Sequence, residues 1–172
     1  TDDPMRTLLV IFGATGDLTA RKLMPALFSN FRKRRLPAGL SIVGFAGSAH
    51  SNDAFREKMK EGVRTHASGI FDEAEWNGFA PLLSYQPGNF DRPEDYRALA
   101  ERVTGLAGGP GNLLFYLATA PEFFPAAAAR LSEAGLLAAS ASGGYRRIVI
   151  EKPFGRDLPS ALALSDELHR SV

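Results

Sequence analysis

Gly13 and Gly16 stand where an apolar run, Thr7-Leu8-Leu9-Val10-Ile11-Phe12, gives way to the helix-forming residues that follow Leu18. Glycine at the first position lets a chain turn sharply off the end of a strand. Glycine at the second removes the side chain that would keep an anion away from the backbone. The amides that open the next helix, with the positive end of its dipole, then face whatever fills the turn. The segment Gly13-Ala14-Thr15-Gly16-Asp17-Leu18-Thr19 is therefore a candidate phosphate cradle, with Asp17 and Thr19 as candidate caps of the helix. The spacing is Gly-x-x-Gly and not the longer Gly-x-Gly-x-x-Gly, and a tight strand-to-helix turn with no ligand uses the same residues. A second candidate lies far along the chain. Lys152, in Glu151-Lys152-Pro153-Phe154-Gly155, follows another apolar run. A lysine followed by proline at a strand end can offer a fixed cation to a phosphorylated or hydroxylated substrate; a merely solvated lysine is the plain alternative.

The elements that must position these residues alternate along the chain. A strand over Leu8–Phe12 leads into a helix from about Leu18 to Arg34, and Pro25 inside that helix removes a backbone hydrogen bond and should kink or loosen it. Leu36-Pro37-Ala38-Gly39 breaks the chain before a second strand, Leu40–Phe45. Asp53–Arg64 reads as an amphipathic helix capped by Ser51, Asn52 or Asp53, and Asp72–Phe79 as a shorter one carrying Trp76. Leu82–Gln86 is a third strand, and Pro93–Leu106 a helix opened by proline and ended by the glycine cluster at 105–111. Asn112–Ala118 and Arg147–Glu151 complete five strands, with helices over Pro121–Leu137 and Leu158–Arg170. Strands that alternate with helices imply a parallel sheet covered on both faces, so the expected fold is an α/β Rossmann-like doubly wound sheet, ordered 3-2-1-4-5. Such sheets bind ligands at the carboxyl ends of their strands, here near the switch between strands one and four. No repeat or linker is visible, and residues 1–172 read as one domain.

Composition narrows the function classes. With 172 residues, 45% of them hydrophobic, the chain has enough apolar surface for one core. A formal charge of +1 points to neither a nucleic-acid nor a membrane partner, and Arg32-Lys33-Arg34-Arg35 is most simply a solvated helix end. The absence of cysteine excludes disulfides, thiolate metal sites and cysteine nucleophiles, and no metal site is expected. No apolar run reaches membrane-spanning length and the first residues lack a signal-peptide layout, so a soluble, cytoplasmic protein is expected. Two further segments fall at the rim of the sheet. In Phe45-Ala46-Gly47-Ser48-Ala49-His50 an acidic residue would grip the ribose 2′-hydroxyl of NAD, and an arginine the 2′-phosphate of NADP; neither is present. Leu117-Ala118-Thr119-Ala120-Pro121 is a small-residue turn able to lie along a ribose, or the start of a proline-opened helix.

Several segments together resemble the glucose-6-phosphate dehydrogenase family. They are Ile11-Phe12-Gly13-Ala14-Thr15-Gly16-Asp17-Leu18-Thr19, Arg21-Lys22-Leu23, Pro25-Ala26-Leu27, Ile42-Val43-Gly44-Phe45-Ala46, Phe115-Tyr116-Leu117-Ala118 and Arg147-Ile148-Val149-Ile150-Glu151-Lys152-Pro153-Phe154-Gly155. They occur in the family's order and spacing along essentially the whole chain, and the Gly-x-x-Gly-Asp-Leu turn with Glu-Lys-Pro-Phe-Gly is specific as a pair. The resemblance implies a parent enzyme that passes a hydride from the anomeric carbon of glucose 6-phosphate to NAD or NADP, giving 6-phosphogluconolactone, the first step of the pentose phosphate pathway. It implies that Lys152 contacts the sugar phosphate and borders the cofactor, that Pro153 shapes the hinge between them, and that Tyr116 lines the cofactor site. It also implies a homodimeric or tetrameric parent.

Two departures from the family pattern matter. Gly47 stands where the family commonly has an arginine for the 2′-phosphate of NADP, a role suited to a planar fork. Arg21, Lys22, Ser48 and His50 are partial substitutes, and the choice between NAD and NADP stays open. The family's catalytic segment, Arg-Ile-Asp-His-Tyr-Leu-Gly-Lys-Glu, holds its histidine base and aspartate partner. It does not occur here, and its place would be beyond Val172. His50, His66 and His169 match no such base, so the expectation is a coenzyme-binding domain that does no chemistry alone. A short-chain dehydrogenase or epimerase would need a tyrosine with lysine four residues on, but Tyr85, Tyr96, Tyr116 and Tyr145 are followed there by Asn89, Ala100, Ala120 and Val149. A non-enzymatic nucleotide-binding module remains the other reading.

Overall fold

The computed structural model describes residues 7–16, 19–36, 40–48, 50–89, 92–107, 112–118, 121–137 and 146–150. Five strands form one sheet: β1 (Thr7–Phe12), β2 (Ser41–Ala46), β3 (Leu83–Pro87), β4 (Asn112–Leu117) and β5 (Arg146–Ile150). Every pairing is parallel and the order is β3-β2-β1-β4-β5, as the alternation of strands and helices predicts. The three interior strands, β2, β1 and β4, are buried nearly throughout because helices cover both faces. Along β1 the side chains divide strictly by parity. Leu9 and Ile11 join a core with α1 (Met24–Arg32), α2 (Asn52–His66) and α3 (Glu73–Phe79). Leu8, Val10 and Phe12 join the opposite core with α4 (Pro93–Ala107) and α5 (Phe124–Glu133).

Local chemistry explains the ends of these elements. Ser51 caps α2 by accepting from the Ala54 amide at 3.0 Å, and Asp72 caps α3 by accepting from the Glu75 amide at 2.9 Å. The first predicted helix is two pieces. Residues Thr19–Leu23 form a π-helical turn, and α-helical spacing begins only at Met24. Pro25 has no N–H to donate backwards, so it sits in the first turn of α1, where no donor is required, and the turn ahead of it opens to the wider spacing. The alanine-rich helix is shorter than its composition suggests. After a 3₁₀ turn at Pro121–Phe123, α5 ends at Glu133 and not at Leu137. Gly135, with φ of 77°, reverses the chain, its amide bonding the Ser132 carbonyl while that of Leu136 bonds Leu131, both at 3.0 Å. Leu131 and Leu136 are both buried in the same core, closing the cap with an apolar contact. The predicted helix Leu158–Arg170 and the segment Glu151–Gly155 lie outside the described residues.

Candidate functional site

The turn after β1 is built from hydrogen bonds to one carbonyl. Gly13 adopts φ of 82°, a left-handed conformation that favours glycine. Its amide donates to the Phe45 carbonyl at 3.0 Å and so extends the β1–β2 ladder by one rung. Its carbonyl accepts from the Gly16 amide at 2.9 Å and from the Thr19 hydroxyl at 3.0 Å. Thr19 was expected as a helix cap, but its buried hydroxyl is a donor back into the turn and Thr19 is already the first residue of the π-helical segment. Asp17 and Leu18 lie outside the described residues.

Between these ties, the amides of Ala14 and Thr15 have no hydrogen-bond partner among the described residues, and Ala14 is fully buried. Buried amides are otherwise almost always paired, so two adjacent donors without a partner among the described residues make this glycine turn a candidate anion site. The turn is wedged in place from below. A Cβ on Gly44 of β2 would lie 2.7 Å from the Ala14 Cβ and 2.6 Å from the Phe55 Cζ, so the absence of a side chain at Gly44 is what lets turn and α2 settle onto the sheet. Gly62 does the same on α2, where a Cβ would meet the Ala20 carbonyl oxygen at 3.2 Å. Between the turn and α2 runs a cleft of about 310 Å³ lined by Thr15, Gly16, Ala20, Lys58, Glu61 and Thr65, with Glu61 paired to Arg64 at 3.1 Å. Arg21 and Lys22 are exposed on the π-helical turn beside it.

The second rim segment, after β2, brings Gly47 and Ser48 to the same edge of the sheet. Both are exposed, and a Cβ on Gly47 would meet nothing closer than the Asn89 Oδ1 at 3.9 Å and the Gly88 carbonyl at 4.0 Å. This loop is fastened by a residue that sequence reasoning missed. Tyr85 of β3, 1% exposed, donates its hydroxyl to the carbonyls of Ala46 and Ser48. Burial pushes the Tyr85 phenol above its usual pKa, so it remains a proton donor through the neutral range. A tyrosine in a short strand carries no motif, and only the pairing of β2 with β3 puts it under the loop. The glycines at 44 and 62 did leave a signal, since glycine inside a strand or helix marks close approach.

At the end of β4 the Ala118 amide donates to the Phe12 carbonyl at 2.9 Å, placing this strand end beside the turn. Tyr116, two residues earlier, is 2% exposed and stands in register with Ile11 of β1 and Val149 of β5, in the core that α1 and α2 cover. Thr119, Ala120 and Lys152 lie outside the described residues. His50 sits edge-on to the Tyr85 ring at 5.4 Å, and His66 ends α2; they are not brought together. No helix among the described residues is long and apolar enough to cross a membrane.

A glycine turn and a cleft where the first strand of a 3-2-1-4-5 parallel sheet ends, at the switch between strands running out to either edge, mark a domain of the doubly wound α/β class, which binds nucleotides at that position. Residues 10–172 match the family model for the NAD-binding domain of glucose-6-phosphate dehydrogenase, a nicotinamide-dinucleotide-binding domain, and the chain belongs to that family. It is 39% identical over 170 residues to the glucose-6-phosphate 1-dehydrogenase of Chlamydia pneumoniae, covering 96% of this chain and 33% of that protein. With the Bacillus subtilis (strain 168) enzyme of the same name it shares 35% over 174 residues, 99% of this chain and 34% of that one. Among solved structures, a glucose-6-phosphate dehydrogenase in complex with glucose-6-phosphate superposes with a TM-score of 0.74 at 34% identity, over 98% of this chain and 35% of that one. The enzyme from Mycobacterium avium gives a TM-score of 0.73 at 31% identity, over 98% of this chain and 34% of that one. The chain thus spans about a third of the length of the relatives it matches.

Proposed function

We propose that this chain is the coenzyme-binding part of an enzyme that oxidises glucose 6-phosphate to 6-phosphogluconolactone, and that it holds the dinucleotide through the turn Gly13–Thr19. The amides of Ala14 and Thr15, without a partner among the described residues, carry this reading as the donors for the pyrophosphate. Arg21, Lys22 and Ser48 border the same rim and supply charge and hydroxyl contacts, while Tyr116 supports the site from within the sheet. Lys152 is assigned to the sugar phosphate and the edge of the cofactor by its family motif. When bound, the nicotinamide supplies the hydride acceptor. The chain's own share is to orient it, to neutralise phosphate charge, and through Lys152 to position the sugar. The anomeric hydroxyl proton goes to the histidine of the family's Asp-His segment, which these 172 residues do not contain. Homo-oligomeric assembly belongs to the parent on the same ground. A cytoplasmic location for the parent belongs to the same reading.

The discriminating experiment is a calorimetric titration of NAD and NADP into the chain and into Gly16→Val. A Cβ at Gly16 meets the Gly13 carbonyl oxygen at 3.2 Å, a tight contact to which the turn itself must yield, and nothing else within 4 Å, so sheet and helices are expected to fold while the isopropyl group covers the approach to the amides. Weak binding by the parent sequence, lost in Gly16→Val, is the expected result. Equal affinity in both would remove the turn from the site.

A further inference from the structure

The loop that carries Gly47 is shaped by Tyr85, from the next strand outward. The Tyr85 hydroxyl reaches the Ala46 carbonyl at 3.1 Å and also the Ser48 carbonyl, while its backbone amide donates to the Asn52 Oδ1 at 2.8 Å, at the first residue of α2. Its ring packs on Phe55 at 5.1 Å and meets the edge of His50 at 5.4 Å. One buried residue thus ties both ends of the 46–52 segment, the first through its hydroxyl and the second through its backbone amide. Carbonyls two residues apart that face one side follow strand alternation, which turns the amide of the residue between them to the opposite side. For Gly47 that side is β1. The regular parallel rung there would run from the Gly47 amide to the Gly13 carbonyl, which already accepts from Gly16 and Thr19. Among the described residues the Gly47 amide has no partner, and Gly47 is exposed.

We propose that Tyr85 is the positioning residue for the adenosine half of the dinucleotide: the Gly88 amide fixes the Ala46 carbonyl toward β3 at 2.8 Å, and the Tyr85 phenol holds the Ser48 carbonyl to the same side, which presents the Gly47 amide to the ribose and its 2′ substituent. The inference rests on the dinucleotide reading above. It makes this rim a backbone donor that serves a hydroxyl or a phosphate alike, in place of a guanidinium specific for one of them.

The test is Tyr85→Phe, which keeps the ring against Phe55 and His50 and removes only the donor. NAD, NADP and inorganic pyrophosphate are titrated into both chains, with thermal midpoints and amide hydrogen exchange at Gly47 and Ser48 followed in parallel. Both dinucleotides should weaken on the order of tenfold, the scale of one lost hydrogen bond, with pyrophosphate affinity and midpoint held and exchange at Gly47 and Ser48 accelerated. Unchanged dinucleotide affinity or unchanged exchange overturns the proposal. So does an equal loss of all three ligands with a lowered midpoint, which assigns Tyr85 to general stability. A parent chain that binds no dinucleotide overturns the dinucleotide reading itself, and this inference with it.

Discussion

At position 47 the relevant quantity is empty space. Positive φ among the described glycines occurs only at Gly13 and Gly135, so Gly47 has a backbone that any residue can adopt. The nearest atoms to an added Cβ are at ordinary contact distance, 3.9 Å or more. An arginine therefore fits, and a guanidinium at the rim would meet the 2′-phosphate of NADP as a charge-assisted pair. Such bonds contribute about 1.5–3 kcal/mol, so Gly47→Arg should tighten NADP on the order of tenfold or more and leave NAD nearly unchanged. Side-by-side titrations check this. A strong NADP preference in the unaltered chain would instead show that Arg21, Lys22 or Ser48 already serves the 2′-phosphate.

At the scale of elements, the turn depends on how closely β2 admits its neighbours. Gly44 is paired with Ile11 on one side and Tyr85 on the other, and it faces both the buried Ala14 and the ring of Phe55 from α2. A single methyl there would have to displace the turn or the helix, because contacts of 2.6 and 2.7 Å cannot persist. Gly44→Ala is expected to cost about 1–3 kcal/mol in a denaturant titration, the usual range for overpacking a filled core. It should also lower dinucleotide affinity, since Ala14 carries one of the free amides. A variant with unaltered stability would mean that Phe55 can swing aside. The π-helical turn at Thr19–Leu23 belongs to the same scale. It joins the phosphate turn to α1, and Pro25 prevents regular α-helical bonding from extending back into it.

For the whole molecule, the sheet order sets what these residues can and cannot do. Helices α1 to α3 lie on one face and α4 and α5 on the other, so the chain leaves β1 toward one edge, crosses back, and leaves again from β4 toward the other. The crevice between those two departures holds the turn; of the described histidines, His66 ends α2 and His50 packs on Tyr85, and the two are not brought together. A chain of these 172 residues is therefore expected to show no measurable oxidation of glucose 6-phosphate with either cofactor. Loss of a positioned base alone removes roughly 10²–10⁴-fold in rate. Reduced-nicotinamide absorbance followed for hours tests this, with Lys152→Ala as the control for contaminating host enzyme. Activity that survives purification and disappears in Lys152→Ala would require a base within this chain.

Alternation of apolar strands with amphipathic helices was enough to determine the parallel class and the strand order, because each apolar face needs a helix to cover it and short connections leave few topologies. Gly13 and Gly16 were legible for a similar reason: a positive φ and a close approach both demand glycine, and the demand is local. Thr19 was not legible in its actual role, since whether a hydroxyl caps a helix or ties back to a turn depends on the π-helical spacing that Pro25 helps impose. The end of α5 was misjudged because alanine favours helix on both sides of Gly135, and the reversal is fixed by one left-handed residue and the Leu131–Leu136 contact. Tyr85, Gly44 and the cleft beside Lys58 exist as parts of a site only after residues 30 to 50 positions apart have been brought together. A sequence specifies conformations through short-range sterics and periodicity, while the partners of a buried hydroxyl or an unfilled Cβ position follow from tertiary packing alone.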